Sequence, residues 1–216
     1  WSTERLYHEL AWAYDAVAWL VSLGQWSRWR RAALAHVRGP RVLELGFGTG
    51  ALLVEMARRG WQVCGLDPSP EMQRVAARRL QRRGVRVPRL RGHAQALPFA
   101  AGSLDTLVST FPAGYILSPA TWQEAARVLR PAQPATGTPG GRLVIAGLTY
   151  PEDSLLARAS AWLLRAAAAE GVTPHLERAA AQVGLSLTVA HEEGRPHGPL
   201  VFILERGPGH GAAPGA

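Results

Sequence analysis

Two carboxylates and three alternating glycines stand where this chain can do chemistry. Glu44 lies in a short apolar run, Val42-Leu43-Glu44-Leu45, and Gly46, Gly48 and Gly50 follow it. Glycine permits positive φ and lets a backbone approach a ligand closely. From Leu52 to Arg59 the composition is helical, so the free N–H groups of a helix start face whatever lies over the bend. Asp67 ends the next apolar run, Trp61-Gln62-Val63-Cys64-Gly65-Leu66, where a carboxylate can accept from both hydroxyls of a ribose. Strand, glycine bend and helix start together read as a nucleotide cradle with an acid at each of two strand tips.

Gly46, Gly48 and Ala51 also satisfy the dinucleotide pattern G-x-G-x-x-[GA], which alone is a weak signal. Glu44 argues against that reading, because NAD binders place a small or apolar residue there. With Glu44 and Asp67 in place, the stretch resembles motif I and the following acidic position of class I S-adenosylmethionine-dependent methyltransferases. The resemblance implies that the glycine bend holds the amino-acid end of S-adenosylmethionine and that Asp67 holds its ribose. Gly92-His93-Ala94-Gln95-Ala96-Leu97-Pro98-Phe99 is similar to the family's Gly-Asp-Ala-x-x-Leu-Pro-Phe element. His93 replaces the Asp that accepts from the adenine amino group; either a neutral imidazole nitrogen accepts in its place, or His93 points to solvent and the Ala94 backbone reads the adenine. The cofactor set implied is Glu44, Gly46, Phe47, Gly48, Gly50, Asp67, Pro68, Met72, His93, Ala94, Gln95 and Thr110. Met72 fits the core equally well.

Further resemblance lies upstream. Tyr14-Asp15, Ser22-Leu23-Gly24 and Trp29-Arg30 are similar to the front end of ubiquinone/menaquinone biosynthesis C-methyltransferases, with Arg30 replacing a Lys and Trp26-Ser27 replacing a His and an Arg. Tyr14, Trp29, Phe111 and Tyr115 are candidate acceptor contacts, with core packing as the alternative for each. No acid–base pair stands out, so no catalytic base is assigned.

These residues need a scaffold that brings strand tips together. Apolar runs alternate with helical patterns, which implies a Rossmann-like α/β fold, a seven-stranded, mostly parallel sheet with helices on both faces. Strands are expected at 41–46, 61–67, 85–90, 104–109, 141–147, 185–191 and 199–205. Helices are expected at 4–20, 25–38, 51–59, 70–82, 120–130, 153–169 and 174–183. The family resemblance implies that the last strand inserts antiparallel. Ser69 should cap the helix that begins at Pro70. Asp105, on the opposite sheet edge, reads as structural. The expected units are a helical cap at 1–40, a cofactor-binding domain at 41–206 and a disordered tail at 207–216.

Composition sets the bounds. At 216 residues with 47% hydrophobic content, the chain fits one α/β domain with a full core. All 24 basic residues are Arg, giving a net charge of +8. They are scattered as pairs without an aromatic platform, so a solvated surface is favoured over specific nucleic-acid binding, with peripheral membrane contact left open. Cys64 is the single cysteine, which excludes a disulfide framework and a Cys-built metal site and suits a cytoplasmic protein. His175, His191 and His197 lack metal-ligand spacing. No signal peptide is visible and Leu10–Trp26 is too short to span a bilayer comfortably. The start at Trp1 reads as a native start lying upstream. The expected activity is methyl transfer from S-adenosylmethionine to a small, lipophilic acceptor, a quinone or aromatic ring or a phospholipid amine. The rivals are an NAD-dependent oxidoreductase and a non-catalytic S-adenosylmethionine-binding sensor or scaffold.

Overall fold

The computed structural model describes residues 26–112, 114–147, 177–190 and 201–208. Its centre is β1 (Arg41–Leu45), buried at every position after Arg41. Alternation sorts its side chains between two faces. Leu43 and Leu45 join one core with Leu107, Leu143, Ile145, Phe202 and Leu204, whereas Val42 joins a second core with Val108, Val144, Val201 and Ile203. Strands buried on both faces are the expected product of near-continuous apolar runs in a parallel sheet.

Helices cover both faces. Over the Val42 face lie α1 (Trp26–Leu34), α2 (Ala51–Arg58) and α3 (Pro70–Arg82), contributing Leu34, Leu53, Met56, Ala76 and Leu80. Over the Leu43 face lies α4 (Pro119–Val128), with Trp122, Ala125 and Val128 buried. α3 starts as its sequence dictates: Pro70 occupies the first turn and the Ser69 hydroxyl accepts from the Met72 N–H at 3.2 Å, a capping contact contributing about 1 kcal/mol.

The remaining strands are β2 (Gln62–Leu66), β3 (Arg89–Leu90), β4 (Thr106–Thr110), β5 (Arg142–Ala146), β6 (Leu185–Ala190) and β7 (Val201–Arg206). The sheet order is β3-β2-β1-β4-β5-β7-β6. The first five strands run parallel, while β7 inserts between β5 and β6, antiparallel to both. The expected fold class is therefore the observed one. The chain runs outward from β1 through β2 to β3 and then crosses back to β4 on the other side of β1, which creates a crevice at the carboxyl ends of β1 and β4 where open α/β sheets bind ligands.

Several boundaries differ from expectation for physical reasons. The third strand shrinks from 85–90 to two residues because Pro88 has no N–H for the ladder; its carbonyl still accepts from Gly65. The helix expected at 25–38 ends at Leu34, after which Ala35, His36 and Val37 donate to carbonyls three residues back, tightening the last turn. The helix expected to reach residue 130 stops at Val128, because Leu129 turns extended and bridges Leu104. The loop at 132–139 is ordered, with a short 3-10 turn at Pro134–Thr136 and a bridge from Gln133 to Thr138. Asp105 sits at the amino edge, accepting from the Arg41 backbone and guanidinium and from Arg130, in keeping with a structural role. The stretch at 177–182 is helical. The helices expected at 4–20 and 153–169, the tail from 209, Tyr14, the Trp29 side chain and His175, His191 and His197 lie outside the described residues.

Candidate cofactor site at the sheet switch point

Glu44 is registered against Gly65 of β2 and Val108 of β4, so both neighbouring strands flank it. Its side chain is buried, and Oε2 has no hydrogen-bond partner among the described residues. Burial pushes this carboxyl well above the usual range; the charge of Arg30 opposes the shift and that of Asp67 adds to it. A buried acid with an open acceptor is expensive, and at a strand tip it marks a place for a donor that the protein does not supply.

Beyond Leu45 the chain leaves the ladder. The Gly46 N–H donates to the Leu66 carbonyl at 2.8 Å, and Gly50 donates to Phe47 at 2.9 Å. Gly48 has φ 51°, and a Cβ built there would meet nothing within 4 Å; its conformation needs glycine, and the space over it is open. At Gly50, φ is 74° and an added Cβ would come within 2.8 Å of the Ala76 side chain, so this glycine brings α2 and α3 together. The Phe47 side chain is buried against Gly65, and Met72 is buried under α3. Both side chains belong to the core, and the bend itself presents backbone.

Asp67 is buried at the tip of β2. One carboxylate oxygen accepts from the Gly48 N–H and the other from the Ser69 N–H, each at 2.9 Å. Burial raises its carboxyl above the normal value while these two N–H groups hold it down. The carboxylate thus ties the bend to the start of α3, and its remaining lone pairs can still accept. The cap of α3 itself is Ser69, and Asp67 holds the N–H of that capping residue.

Around this pair lies a set of contacts that sequence reasoning did not find. Ser109, buried on β4, donates to the Leu45 carbonyl at 3.2 Å, and the Tyr115 hydroxyl donates to the same carbonyl at 3.1 Å. The two hydroxyls are 2.7 Å apart. Burial is the main reason that the Tyr115 phenol is pushed up to about 12, with the charges of Asp67 and Glu44 adding to it. Tyr115 is therefore a donor at neutral pH, and its hydroxyl faces β1. Gln73 brackets the Asp67 and Leu90 carbonyls at 3.1 and 2.8 Å. Glu124 accepts from Leu97 N–H at 2.6 Å, and Arg127 donates to the Leu97 and Phe99 carbonyls and to Glu124, so the 93–99 loop is held from α4. The helical spacing of Glu124 and Arg127 was the available signal for that pair; no local pattern announces the others.

Phe111, directly after β4, has φ 51°, the single non-glycine residue with positive φ among those described. Its ring covers Gly147 beyond β5. Thr110, half-buried, ends β4 opposite Ala146. Ala94 is buried, Gln95 half-buried, and Pro68 and His93 exposed. The structure thus gathers Glu44, Gly46, Gly48, Asp67 and Tyr115 at one crevice.

The chemistry of this donor set can be tested against S-adenosylmethionine without a bound ligand. That molecule carries an ammonium and a sulfonium, and two buried acids beneath an open glycine bend suit cations. The same pair would repel a dinucleotide pyrophosphate. The residues fit the cofactor.

Comparison with known proteins points the same way. Residues 42–132 match the family model for a methyltransferase domain. A demethylmenaquinone methyltransferase from Thermus thermophilus is 36% identical over 146 residues, covering 65% of this chain and 63% of the relative. A ubiquinone/menaquinone biosynthesis C-methyltransferase from Syntrophotalea carbinolica is 34% identical over 161 residues, 72% of this chain and 65% of that protein. The chain therefore spans just under two thirds of the length of these relatives. Among solved structures, an S-adenosylmethionine-dependent methyltransferase from Thermotoga maritima, described as a possible histamine N-methyltransferase, superposes with TM-score 0.61 at 18% identity, over 93% of this chain and 99% of that one. Geranyl diphosphate C-methyltransferase from Streptomyces coelicolor does so with TM-score 0.61 at 16% identity, over 83% and 79%. These two structures speak for the fold alone.

Proposed function

We propose that this chain is a class I S-adenosylmethionine-dependent methyltransferase and that it transfers the methyl group of S-adenosylmethionine to a quinone-type aromatic ring. The observation that carries the cofactor half is the buried Glu44 carboxyl beside Asp67 under the Gly46–Gly50 bend, whose Oε2 has no hydrogen-bond partner among the described residues. The acceptor half rests on the names of the menaquinone and ubiquinone relatives and on the similarity at Tyr14 to Arg30. Residues 41–206 form the catalytic unit in this reading, and the segment before it caps the site.

The cofactor supplies an activated methyl on a sulfonium, so the protein's work is binding, alignment and exclusion of water. Glu44 receives the ammonium, and Asp67 keeps the bend in place while accepting from the ribose. Ala94, Gln95 and His93, on the loop held by Glu124 and Arg127, form the adenine side. Ser109 and Tyr115 fix the Leu45 carbonyl and with it the start of the bend. Thr110 closes the cofactor side at the end of β4, and Phe111 after it is the acceptor contact in this reading. Tyr115, protonated at neutral pH, is not the base in this reading.

Calorimetry with S-adenosylmethionine, S-adenosylhomocysteine and NAD tests the cofactor. Binding of the first two and not the third is expected, and the reverse overturns the reading. Asp67→Ala should weaken S-adenosylmethionine by about 1–3 kcal/mol; unchanged affinity removes Asp67 from the ribose role. Assay with demethylated naphthoquinols and with phosphatidylethanolamine then decides the acceptor. Product from the lipid amine alone replaces the quinone, and no product with either, despite cofactor binding, favours a sensor.

A further inference from the structure

One third of the arginines fall in eighteen residues. Arg74, Arg78, Arg79, Arg82, Arg83, Arg86, Arg89 and Arg91 lie on α3 and the segment through β3, and no Asp or Glu occurs between Glu71 and Asp105. This density contrasts with the scattered pairs elsewhere. Arg74, Arg78 and Arg82 are spaced i, i+4, i+8 and all three are exposed, so they form one stripe on the outer face of α3. Like charges at that spacing destabilise a helix. Arg74 has Glu71 at 3.6 Å, whereas no described carboxylate pairs with Arg78, Arg82, Arg83 or Arg86. The stripe continues around the exposed turn at 83–86 onto the edge strand of the sheet, β3.

Beside this stripe is a cleft of about 690 Å³ whose walls include Ala77, Leu80, Val85 and Val87, with Arg86 and Arg89 among its polar groups. The Arg89 Nε is buried and has no acceptor among the described residues. Apolar walls beside guanidinium donors suit an amphiphile with an anionic head. No Phe, Trp or Tyr lies between Trp61 and Phe99, so the surface lacks the stacking platforms that single-stranded nucleic acid uses. Among the described residues no helix is long and apolar enough to cross a membrane.

We propose that the arginine-covered flank formed by α3, the 83–88 turn and β3 docks on an anionic phospholipid bilayer, with phosphate headgroups on the stripe and the cleft receiving one lipid. The inference goes beyond the methyl-transfer reading and does not depend on it, because docking is measured without turnover. A lipophilic acceptor gives the docking a purpose, since such a compound partitions into the bilayer.

The test is co-sedimentation with vesicles of 30% phosphatidylglycerol in phosphatidylcholine and with pure phosphatidylcholine vesicles. Binding to the anionic vesicles, weak binding to the neutral ones and loss at 0.5 M salt are expected. Replacing Arg78, Arg82, Arg83 and Arg86 together by Gln should lower partitioning about tenfold or more. A comparison variant with the same charge loss outside this flank, R38Q/R58Q/R59Q/R178Q, should retain most of it. Calorimetry with S-adenosylmethionine on the four-site variant confirms that it is folded and separates this proposal from the cofactor assignment. Equal partitioning of the two variants, equal binding to neutral vesicles, full competition by millimolar inorganic phosphate, or preference for single-stranded RNA over the anionic vesicles would each overturn the proposal.

Discussion

At the residue scale, Glu44 sets function against stability. Its raised carboxyl means that the folded protein holds this proton more tightly than the unfolded chain does. The associated stability is fully present below the unfolded value near 4.5 and is lost as pH rises through the higher folded value. Glu44→Gln keeps the shape and removes the titration. The ligand-free variant should therefore melt higher than the parent at pH 8, with the two converging toward pH 4, while its affinity for S-adenosylmethionine falls at least about tenfold, about 1.4 kcal/mol. Scanning calorimetry and titration calorimetry on the same samples check both limbs; a variant that gains stability and keeps affinity removes the ammonium from Glu44. Tyr115 tests the neighbouring contact more gently. Tyr115→Phe deletes one of two donors to the Leu45 carbonyl and should cost about 1 kcal/mol of stability, with a weakened cofactor affinity that a purely structural hydroxyl would not produce.

At the element scale, the 93–99 loop is part of the site only because α4 holds it. Arg127 donates to two of its carbonyls, and Glu124 both receives its Leu97 N–H and pairs with Arg127. Arg127→Ala should speed hydrogen exchange of the Leu97 amide and its neighbours and lower cofactor affinity, with little change in the exchange of β1 and β4; uniform acceleration across the sheet would mean general destabilisation instead. This dependence also shows what the sequence could and could not reveal. Val42-Leu43-Glu44-Leu45, the alternating glycines, Ser69-Pro70 and Asp67 are local signals: strand burial, positive φ, helix capping and a strand-tip acid each leave a mark within a few residues. Arg127, Gln73 and Ser109 act on backbone groups distant in sequence, at separations that no periodicity encodes, so their roles appear only when the sheet assembles. Pro88 is an equally local signal, since its missing N–H shortens β3 to two residues. Met72 has the i, i+4, i+8 spacing of core residues with Ala76 and Leu80, and that pattern outweighs its nearness to the site.

At the scale of the whole molecule, the two sheet edges divide the work. The carboxyl edge holds Phe111 at positive φ and a Glu44 Oε2 that has no hydrogen-bond partner among the described residues. The amino edge is tied together by one fully engaged carboxylate. Asp105, just before β4, accepts from the Arg41 N–H at 3.0 Å, from Arg41 Nε at 2.9 Å and NH2 at 2.8 Å, and from Arg130 Nε at 3.1 Å, tying together the start of β1, the start of β4 and the chain after α4. The Arg41 guanidinium is the main reason that the Asp105 carboxyl falls from 3.8 to about 2. Because the folded value is the lower one, the stability it brings is present above about pH 4 and disappears as pH drops through 2, an amount of about 2 kcal/mol, reduced somewhat because Arg41 is partly solvated. Asp105→Asn should therefore be less stable than the parent at pH 7 by about that much, more if the guanidiniums are left poorly solvated. The gap should close progressively in acid, and denaturant melts at pH 7, 4, 3 and 2 trace it. Since Asp105 stands at the edge away from the crevice, S-adenosylmethionine affinity at pH 7 should be unaltered in the folded fraction. A loss of affinity matching the loss of stability would show that the two edges are coupled through the sheet, and the separation of scaffold from site would fail.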